Sequence, residues 1–178
     1  MNQAKLTPQQ FQEIYPYLID WIQKLLASHA AQARSVASVG FARLPLYFSQ
    51  ALLVSSKFVP VARLPMPPLS ALGLTQFAEF EKAEFEGITY LDTFFLKQPS
   101  ANNERQHFHE LIHIVQWRIL GPERFLAAYA DGLESFGYHH SPLEVMAYAA
   151  EESFCKQAQV FDAEQLVAEQ LKLWSDSK

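Results

Sequence analysis

Apolar residues recur at intervals of three and four along the first part of the chain, which is the spacing of one face of a helix. Thr7 and Pro8 mark the start of this pattern, because Thr is a good helix cap and Pro fits the first turn. Pro16 lies inside the pattern and predicts either a kink or a split into two helices. The apolar positions are Phe11, Ile14, Tyr15, Leu18, Trp21, Ile22, Leu25 and Leu26.

Two shorter stretches of the same region also predict helices. The first is rich in Ala and runs from about His29 to Val39, where Gly40 ends it. The second follows Pro45 and runs from Leu46 to about Lys57. Residues 1–57 are therefore predicted to form a set of N-terminal helices.

The pattern changes to alternation in the middle of the chain, and residues 58–96 are predicted to contain the strands. Residues 58–65, FVPVARLP, alternate like a strand, and Pro60 fits an edge or a bulge better than a central position. Residues 77–85 fit either a short helix or a solvated strand. Residues 88–96 are rich in β-branched and aromatic side chains and predict one strand.

The last part of the chain, residues 103–178, returns to helical spacing. Asn102 or Asn103 can cap a helix that Gly121 and Pro122 end. This helix has a broad apolar face, so we expect it to be largely buried. Three more helices are predicted, over residues 123–133, 142 to about 159, and 163–174 after a cap at Asp162.

These elements define the expected fold class. We expect an α+β fold that is mostly helical, with a small β-sheet beside the helix of residues 103–120. Residues 1–178 are expected to form one domain, because a chain of this length can bury one substantial core. A hydrophobic content of 49% is ordinary for a globular protein.

The helix of residues 103–120 carries the most specific chemical signal, the segment HELIH. Residues four apart share a helix face, so His109 and His113 can bind one metal ion while Glu110 lies beside it as a general base. Buried imidazoles need partners for both ring nitrogens, and a shared cation supplies one for each. The motif therefore predicts a metal site, with Zn²⁺ as the expected cofactor.

A catalytic zinc site typically has three protein ligands, so the chain must supply a third. Glu144 is preferred, because it lies in the first turn of a buried helix and can point across a helix pair. The competing interpretation is a capping box, in which Glu144 bonds back to the backbone of Ser141. His139 and His140 are the main rivals as ligands. The set of candidates is completed by Asp131, Glu151 and Glu152.

HELIH, the preceding segment ITYLDTFFL and the downstream segment PLEVMAY together resemble the zincin metallopeptidases of the gluzincin type. The resemblance covers roughly residues 87–152. The segment HELIHIVQ is also similar to small, poorly characterised bacterial proteins in which HExxH is followed by Val and Gln. The resemblance implies a zincin-like domain with a zinc ion on His109, His113 and Glu144 and with Glu110 as the catalytic base.

Two features depart from the gluzincin pattern. The interval between His113 and Glu144 is longer than in thermolysin-like enzymes. Tyr148 stands where those enzymes have an Asp that orients the first His ligand. Glu151 or Asp131 could supply that hydrogen bond instead.

The expected activity is hydrolysis of peptide bonds by a zinc-activated water molecule, with Glu110 accepting its proton. Tyr138, His139 and His140 are the candidates to stabilise the transition state or to support the ligands. His107 points to another side of the helix from the two His ligands, so we expect it at the surface or beside the ligands rather than among them.

A peptide or protein substrate could add as an extra strand to the edge of residues 88–96. The alternative function is a non-catalytic zincin-like module that binds or regulates a partner. A third possibility is that HELIH is accidental and the protein is a helical interaction domain.

The aromatic residues near the motif are expected to fill the core rather than a substrate pocket: Tyr90, Phe94, Phe95, Trp117, Phe125 and Tyr129.

Composition and charge argue against other classes of partner. A net charge of −5 and the lack of any Lys/Arg cluster predict no binding to nucleic acid. No apolar stretch is long enough to cross a membrane, and the opening MNQAKLTPQQ does not resemble a leader peptide, so we expect a cytoplasmic protein. Cys155 is the single cysteine and is expected to be a small buried helix residue. The sequence does not indicate the oligomeric state.

Overall fold

The computed structural model describes residues 5–156 and 159–176. This part of the chain forms an α+β fold that is mostly helical, with a small sheet beside the helix that carries HELIH, as predicted. No helix within it combines the length and the hydrophobicity that a membrane span requires. The helices are α1 Pro8–His29, α2 Gln50–Ser55, α3 Ala78–Lys82, α4 Glu104–Leu120, α5 Pro122–Phe136, α6 Pro142–Cys155 and α7 Ala163–Asp176. The strands are β1 Arg34–Ser35, β2 Lys57–Val61, β3 Gly87–Tyr90 and β4 Thr93–Lys97.

α1 is one continuous helix. Thr7 and Gln10 form a capping box, in which the hydroxyl of Thr7 accepts the N–H of Gln10 and the amide oxygen of Gln10 accepts the N–H of Thr7. Pro16 lies inside the helix without dividing it. Of the two alternatives predicted for Pro16, the split into two helices is therefore wrong.

The two shorter N-terminal helices differ from the prediction. Residues 29–39 form only the end of α1, the strand β1 and a 3₁₀ turn. Pairing of Arg34 with Phe58 in the sheet overrides the helical preference of this Ala-rich segment. The second predicted helix is shortened to α2, because its start is fixed by Ser49, whose hydroxyl accepts the N–H of Leu52.

The four strands form one mixed sheet in the order β1-β2-β4-β3. β2 and β4 run parallel, whereas β1 on β2 and β3 on β4 are antiparallel. β1 pairs only with Lys57 and Phe58, so Pro60 has a strand neighbour on one side alone within the described residues. This is the edge position that Pro prefers and that the sequence predicted. β3 forms the outer edge of the sheet.

The segment predicted as one strand over residues 88–96 is a hairpin. β3 and β4 flank a tight turn in which Leu91 has a φ of 58°, in the left-handed region. The prediction was wrong because the turn contains no Gly or Pro, and Leu rarely adopts this conformation. The turn is held by β2, since the N–H of Lys57 donates to the carbonyl of Asp92.

α4 lies in the centre of the molecule. It packs against β3 on one side and against α5, α6 and α7 on the others. Its residues Phe108, Leu111 and Ile112 are fully buried, as the sequence predicted for this helix. Phe108 stacks on Phe154 of α6 with ring centres 4.3 Å apart. Because α4 is surrounded on these sides, its polar residues His109, Glu110 and His113 are buried as well.

The remaining boundaries follow the predictions more closely. Residues 77–85, which fitted a helix or a strand, contain the short helix α3. α5 continues to Phe136, beyond the predicted end. α6 ends at Cys155, and residues 157 and 158 of its predicted extension lie outside the described ranges. α7 is capped as predicted, because the carboxylate of Asp162 accepts the N–H of Gln165 at 3.0 Å.

Cys155 is exposed at the end of α6, so the prediction of a buried cysteine was wrong. The preceding residue, Phe154, points into the core. Successive residues of a helix point about 100° apart, so a buried Phe154 turns Cys155 toward solvent.

Replacing Phe154 by Ala should lower the free energy of unfolding by about 3–5 kcal/mol, because truncation of the buried ring leaves a cavity against Phe108. Urea denaturation followed by circular dichroism measures the change. Val160→Ala is the control, since half of that side chain is exposed and its loss should cost less than about 0.5 kcal/mol. A loss below about 1 kcal/mol for Phe154→Ala would contradict the packing of α4 on α6.

Candidate metal centre

The start of α4 is fixed by two polar residues. The side chain of Asn103 accepts the N–H of Arg105, so of the two predicted caps Asn103 is the one used. Glu104 in the first turn accepts the backbone N–H groups of Arg43 and Leu44. These bonds join α4 to the N-terminal region and set the direction in which its later residues point.

His109 and His113 lie one turn apart on α4, with their Nε2 atoms 3.2 Å from each other. Glu144, in the first turn of α6, points at both. Its Oε2 is 3.5 Å from Nε2 of His109, and its Oε1 is 3.4 Å from Nε2 of His113. All three side chains are buried, and together they form a possible metal site. The structure thus brings together the three residues that the sequence singled out as ligands.

The alternative interpretation of Glu144, a capping box, was wrong. The N–H of Ser141 bonds to the carbonyl of Tyr138 instead. Oε1 of Glu144 accepts the hydroxyl of Tyr129 at 2.6 Å. Oε2 is buried and has no hydrogen-bond partner among the described residues. Because an unpaired buried carboxylate oxygen is costly, a bound cation would stabilise this arrangement.

The side chains of the cluster lie close enough together to share one metal ion. Ligand atoms held at about 2.0–2.2 Å in a tetrahedral arrangement lie roughly 3.3–3.6 Å from one another. The two Nε2 atoms are 3.2 Å apart, and each lies 3.4–3.5 Å from a different oxygen of Glu144. One ligand atom from each of the three residues lies within 4.8 Å of the other two, so a small shift of the side chains would close them on one ion. Two imidazole nitrogens and one carboxylate oxygen are also a ligand set that zinc hydrolases use, with the fourth position left for water or substrate.

Each histidine is oriented by a hydrogen bond at its other ring nitrogen. Nδ1 of His109 donates to Oε2 of Glu151 at 2.8 Å, and Nδ1 of His113 donates to Oε1 of Gln116 at 2.8 Å. These bonds leave both Nε2 atoms available to a cation. Of the two residues predicted to orient the first ligand, Glu151 is the one in contact with it. Asp131 instead pairs with Lys5 near the surface.

Gln116 also connects α4 to α6. Its amide nitrogen donates to the carbonyl of Leu143, at 2.9 Å, in the residue directly before Glu144. One side chain therefore holds His113 and the backbone beside Glu144 at the same time. No role was predicted for Gln116, although its position three residues after His113 places it on the same side of the helix.

Glu110 is buried beside the cluster and is held by the sheet. Its Oε2 accepts the hydroxyl of Thr89 in β3 at 2.6 Å. Gly87 in the same strand leaves room for Oε1, because a Cβ atom at that position would collide with it. Burial raises the pKa of Glu110 above its usual value. No role was predicted from the sequence for Thr89 or Gly87. Gly87 contributes by having no side chain, which leaves space for Glu110.

The charges of the cluster depend on one another. Burial opposes a charge on His109, but the neighbouring carboxylates of Glu144 and Glu151 outweigh it and raise the pKa of His109 to about 10. Burial acts in the same way on His113, and Glu144 again outweighs it and raises the pKa. The pKa of Glu144 is lowered, because the two imidazoles outweigh its burial. Protons and a metal ion therefore compete for the same nitrogens.

The other predicted residues surround the cluster. Tyr138 is partly buried, and burial raises the pKa of its phenol, which stays protonated. His139 and His140 are exposed and lie outside the ligand cluster. Tyr148 packs its ring against His109, with ring centres 4.7 Å apart.

Two residues do not lie where the sequence predicted them. Glu152, a candidate third ligand, is exposed and pairs with Lys156. His107 is outside the ligand cluster, as expected, but it is fully buried rather than at the surface. Its ring packs between Phe58 and Phe94, and desolvation lowers its pKa to about 4. The surface prediction was wrong because that side of α4 faces the sheet.

The aromatic residues near the motif divide into two groups. Phe94 and Phe95 are fully buried in the core, as predicted. The other four are packed against neighbours, but they also line a cavity beside the cluster, so their role is not packing alone. These four residues are Tyr90, Trp117, Phe125 and Tyr129.

Comparison of the chain with protein-family models, with curated proteins and with solved structures gave no match. The likeness to the gluzincins therefore stays a prediction. What the protein does has to be inferred from its own residues, above all from the cluster of His109, His113 and Glu144 with Glu110 beside it.

The protein purified without a histidine tag should contain about one zinc ion per chain, and Glu144→Ala should lose it, because two histidines alone do not hold zinc tightly. Elemental analysis after dialysis measures the content. Glu152→Ala is the matched control on the same helix, since Glu152 is exposed, and it should keep the metal. Zinc retained by Glu144→Ala, or zinc missing from the wild type, would contradict the assignment of the cluster as a zinc site.

Zinc binding at pH 7 should release about one proton or more per chain, because a pKa of about 10 keeps His109 protonated without metal and zinc binds only the neutral imidazole. Calorimetry in buffers of different ionisation enthalpy measures the release. Affinity should rise with pH between about 6 and 8, since fewer protons then compete. His139→Ala, outside the cluster, should leave the release unchanged. An absence of proton release from the wild type would be incompatible with this charge state.

Proposed function

We propose that the protein is a zinc-dependent peptidase. The observation that carries the proposal is the position of Glu110, a buried carboxylate next to the cluster of His109, His113 and Glu144. A structural zinc site is closed by four protein ligands and has no need of a further carboxylate beside it. Three ligands with an adjacent base fit a hydrolytic site better.

The chain supplies the groups that proton transfer requires. Zinc held by the three ligands would polarise a substrate carbonyl and lower the pKa of a water molecule to about 7. Glu110 would accept the proton of the attacking water and pass it to the leaving amine. Its raised pKa makes it a stronger base near neutral pH than an ordinary carboxylate. Thr89 occupies Oε2, so Oε1 next to Gly87 is the oxygen left for this transfer.

Tyr138 is the best candidate to stabilise the developing oxyanion. Its phenol remains a hydrogen-bond donor at neutral pH, because burial raises its pKa. Tyr138 lines the cavity beside the cluster together with Glu110 and Glu144. His139 and His140 are exposed and suit the role less, since oxyanion donors work best where water is excluded.

We propose that the backbone of a peptide substrate adds along β3, which lies at an edge of the sheet. The N–H of Lys97 bonds to the carbonyl of Glu86, which fixes the alternation of the antiparallel ladder. The backbone groups of Gly87 and Thr89 therefore point outward. Trp117 already donates to the carbonyl of Thr89. Gly87 is thus the residue that presents its N–H and C=O next to the catalytic carboxylate.

The proposed substrate is a peptide or a protein, and the proposed compartment is the cytoplasm. A net charge of −5 does not favour nucleic acid as a partner. Cys155 is the one cysteine in the sequence, so the chain has no internal disulfide that would require an oxidising compartment.

Glu110→Gln should lower kcat for peptide hydrolysis by about 10²–10⁴-fold, because the amide cannot accept a proton. Its zinc content should stay at the wild-type value, since Glu110 is not a ligand. A fluorogenic peptide library and elemental analysis measure the two effects. Glu79→Gln, on the exposed side of α3, is the matched control and should change neither.

Undiminished hydrolysis by Glu110→Gln would show that this carboxylate is not the base. A wild-type protein that holds zinc and cleaves no peptide would instead favour a non-catalytic binding or regulatory module.

A further inference from the structure

A cavity lies next to the metal centre, between β3, α5 and α1. Its free volume is about 100 Å³. Glu110, His113 and Glu144 form part of its wall, so the cavity is continuous with the site. The rest of the wall is mainly apolar and comes from α1, from the segment around α3 and from α5. Its members include Phe11, Ile14, Leu18, Phe77, Phe80 and Leu133.

The size of the cavity indicates what it can hold. An enclosed apolar cavity of about 150 Å³ takes a benzene ring. The space here is about 100 Å³ and adjoins the cluster rather than being closed off from it, so it suits one side chain such as Leu or Met, or most of an aromatic ring, rather than a long acyl chain. A packed core normally closes a space of this kind, because unfilled volume lowers stability. A cavity retained beside a buried carboxylate and two histidines therefore points to an occupant from outside the chain.

The polar groups of the wall restrict the chemistry of that occupant. Tyr90 donates its hydroxyl to the carbonyl of Pro65, and Tyr129 donates to Glu144. The carboxylates of Glu110 and Glu144 and the imidazole of His113 lie where the cavity adjoins the cluster. The apolar end offers nothing to neutralise an inserted charge, which would be costly to bury. The inserted group must be apolar, and its polar backbone must stay at the end near Gly87.

One carboxylate links three segments of the wall. Glu134 of α5 accepts the backbone N–H of Leu6, directly before α1, at 2.9 Å. It also accepts the side-chain amide of Gln76, before α3, at 3.2 Å. Three segments that are distant in sequence are thus joined around the cavity.

We propose that this cavity is the specificity pocket of the site and that it takes one large apolar side chain of a peptide, at a residue adjoining the cleaved bond. This inference rests on the proposed function, because it assigns a substrate class to the same site. The backbone at Gly87 holds the peptide while the side chain enters the space between α1 and α5.

The first experiment tests the pocket without catalysis and uses toluene as the probe. Thermal unfolding of the metal-free wild type should shift upward by about 2–4 °C at millimolar toluene, because a ligand of the native state alone stabilises it. Ala130→Leu, which enlarges a residue of the wall, should abolish the shift. Ala149→Leu, on an exposed position of α6, is the matched control and should retain it. Leu133→Phe, also in the wall, serves as a second filling variant if Ala130→Leu does not fold.

The second experiment tests the substrate class with the zinc-loaded protein. The probes are peptides that are identical except for Gly, Ala, Leu or Phe at each residue adjoining the cleaved bond. At one of the two positions, Leu or Phe should raise kcat/KM over Gly by about tenfold or more, as expected for burial of a large apolar side chain. Ala130→Leu should remove most of this preference and keep cleavage of the Ala peptide, whereas Ala149→Leu should keep the preference.

The two experiments separate the inference from the proposed function. No toluene shift in the wild type, or cleavage with equal kcat/KM for all four peptides, would overturn the specificity pocket while leaving the peptidase in place. A toluene shift that Ala130→Leu abolishes, together with no cleavage of any peptide, would overturn the proposed function and with it the assignment of the pocket to a peptidase substrate. A stronger preference for a long acyl group than for Leu or Phe would also overturn the inference.

Discussion

The structure depends on the pairing of ionisable side chains that are buried together in its centre. An isolated charge removed from water costs several kcal/mol, so each of these groups must face a partner. α4 and α6 satisfy this requirement because histidines on one helix lie opposite carboxylates on the other. Polar pairing and the stacking of Phe108 on Phe154 therefore act together on the relative position of the two helices. The group consists of His109, Glu110, His113, Glu144 and Glu151.

The three carboxylates of this group have different surroundings, and the surroundings separate their roles. Glu144 and Glu151 each contact an imidazole, which lowers their pKa values. Glu110 has a hydroxyl from Thr89 as its hydrogen-bond partner, and burial raises its pKa. Neighbouring carboxylates whose pKa values are pushed apart are typical of sites in which one binds and another transfers a proton. The pKa values differ because Glu110 contacts β3, whereas Glu144 and Glu151 contact the histidines of α4.

The residues of the candidate metal centre could be predicted from the sequence where their relative position is set within one helix. HELIH sets His109 and His113 by helical spacing alone, and a cap and a Gly-Pro pair mark the ends of their helix. Glu144 required one further step, because a hydrolytic site needs a third ligand. Thr89 and Gly87 could not be found in this way. Both residues contact Glu110 only because β3 packs against α4. The hydrophobic periodicity of the sequence does not predict which strand packs on which helix.

The wrong predictions of local structure also result from tertiary contacts. The turn at Leu91 forms because β2 and the hairpin pairing hold it, although Leu disfavours that backbone conformation. Arg34 lies in a strand because Phe58 is its neighbour in the sheet. Cys155 is exposed because Phe154 takes the buried position. In each case a tertiary contact outweighs a local preference, and the fold class was nevertheless correct because it depends on the long periodic segments.

Glu134 links segments of the cavity wall rather than residues of the metal centre. This carboxylate fastens the start of α1 and the segment before α3 to α5, yet it has no part in the cluster on α4 and α6. Substitutions in the fastened segments can reshape the cavity while the ligands and Glu110 keep their own hydrogen bonds. The shape of the outer wall and the arrangement of the cluster therefore depend on different hydrogen bonds, although Glu110, His113 and Glu144 face the cavity as well.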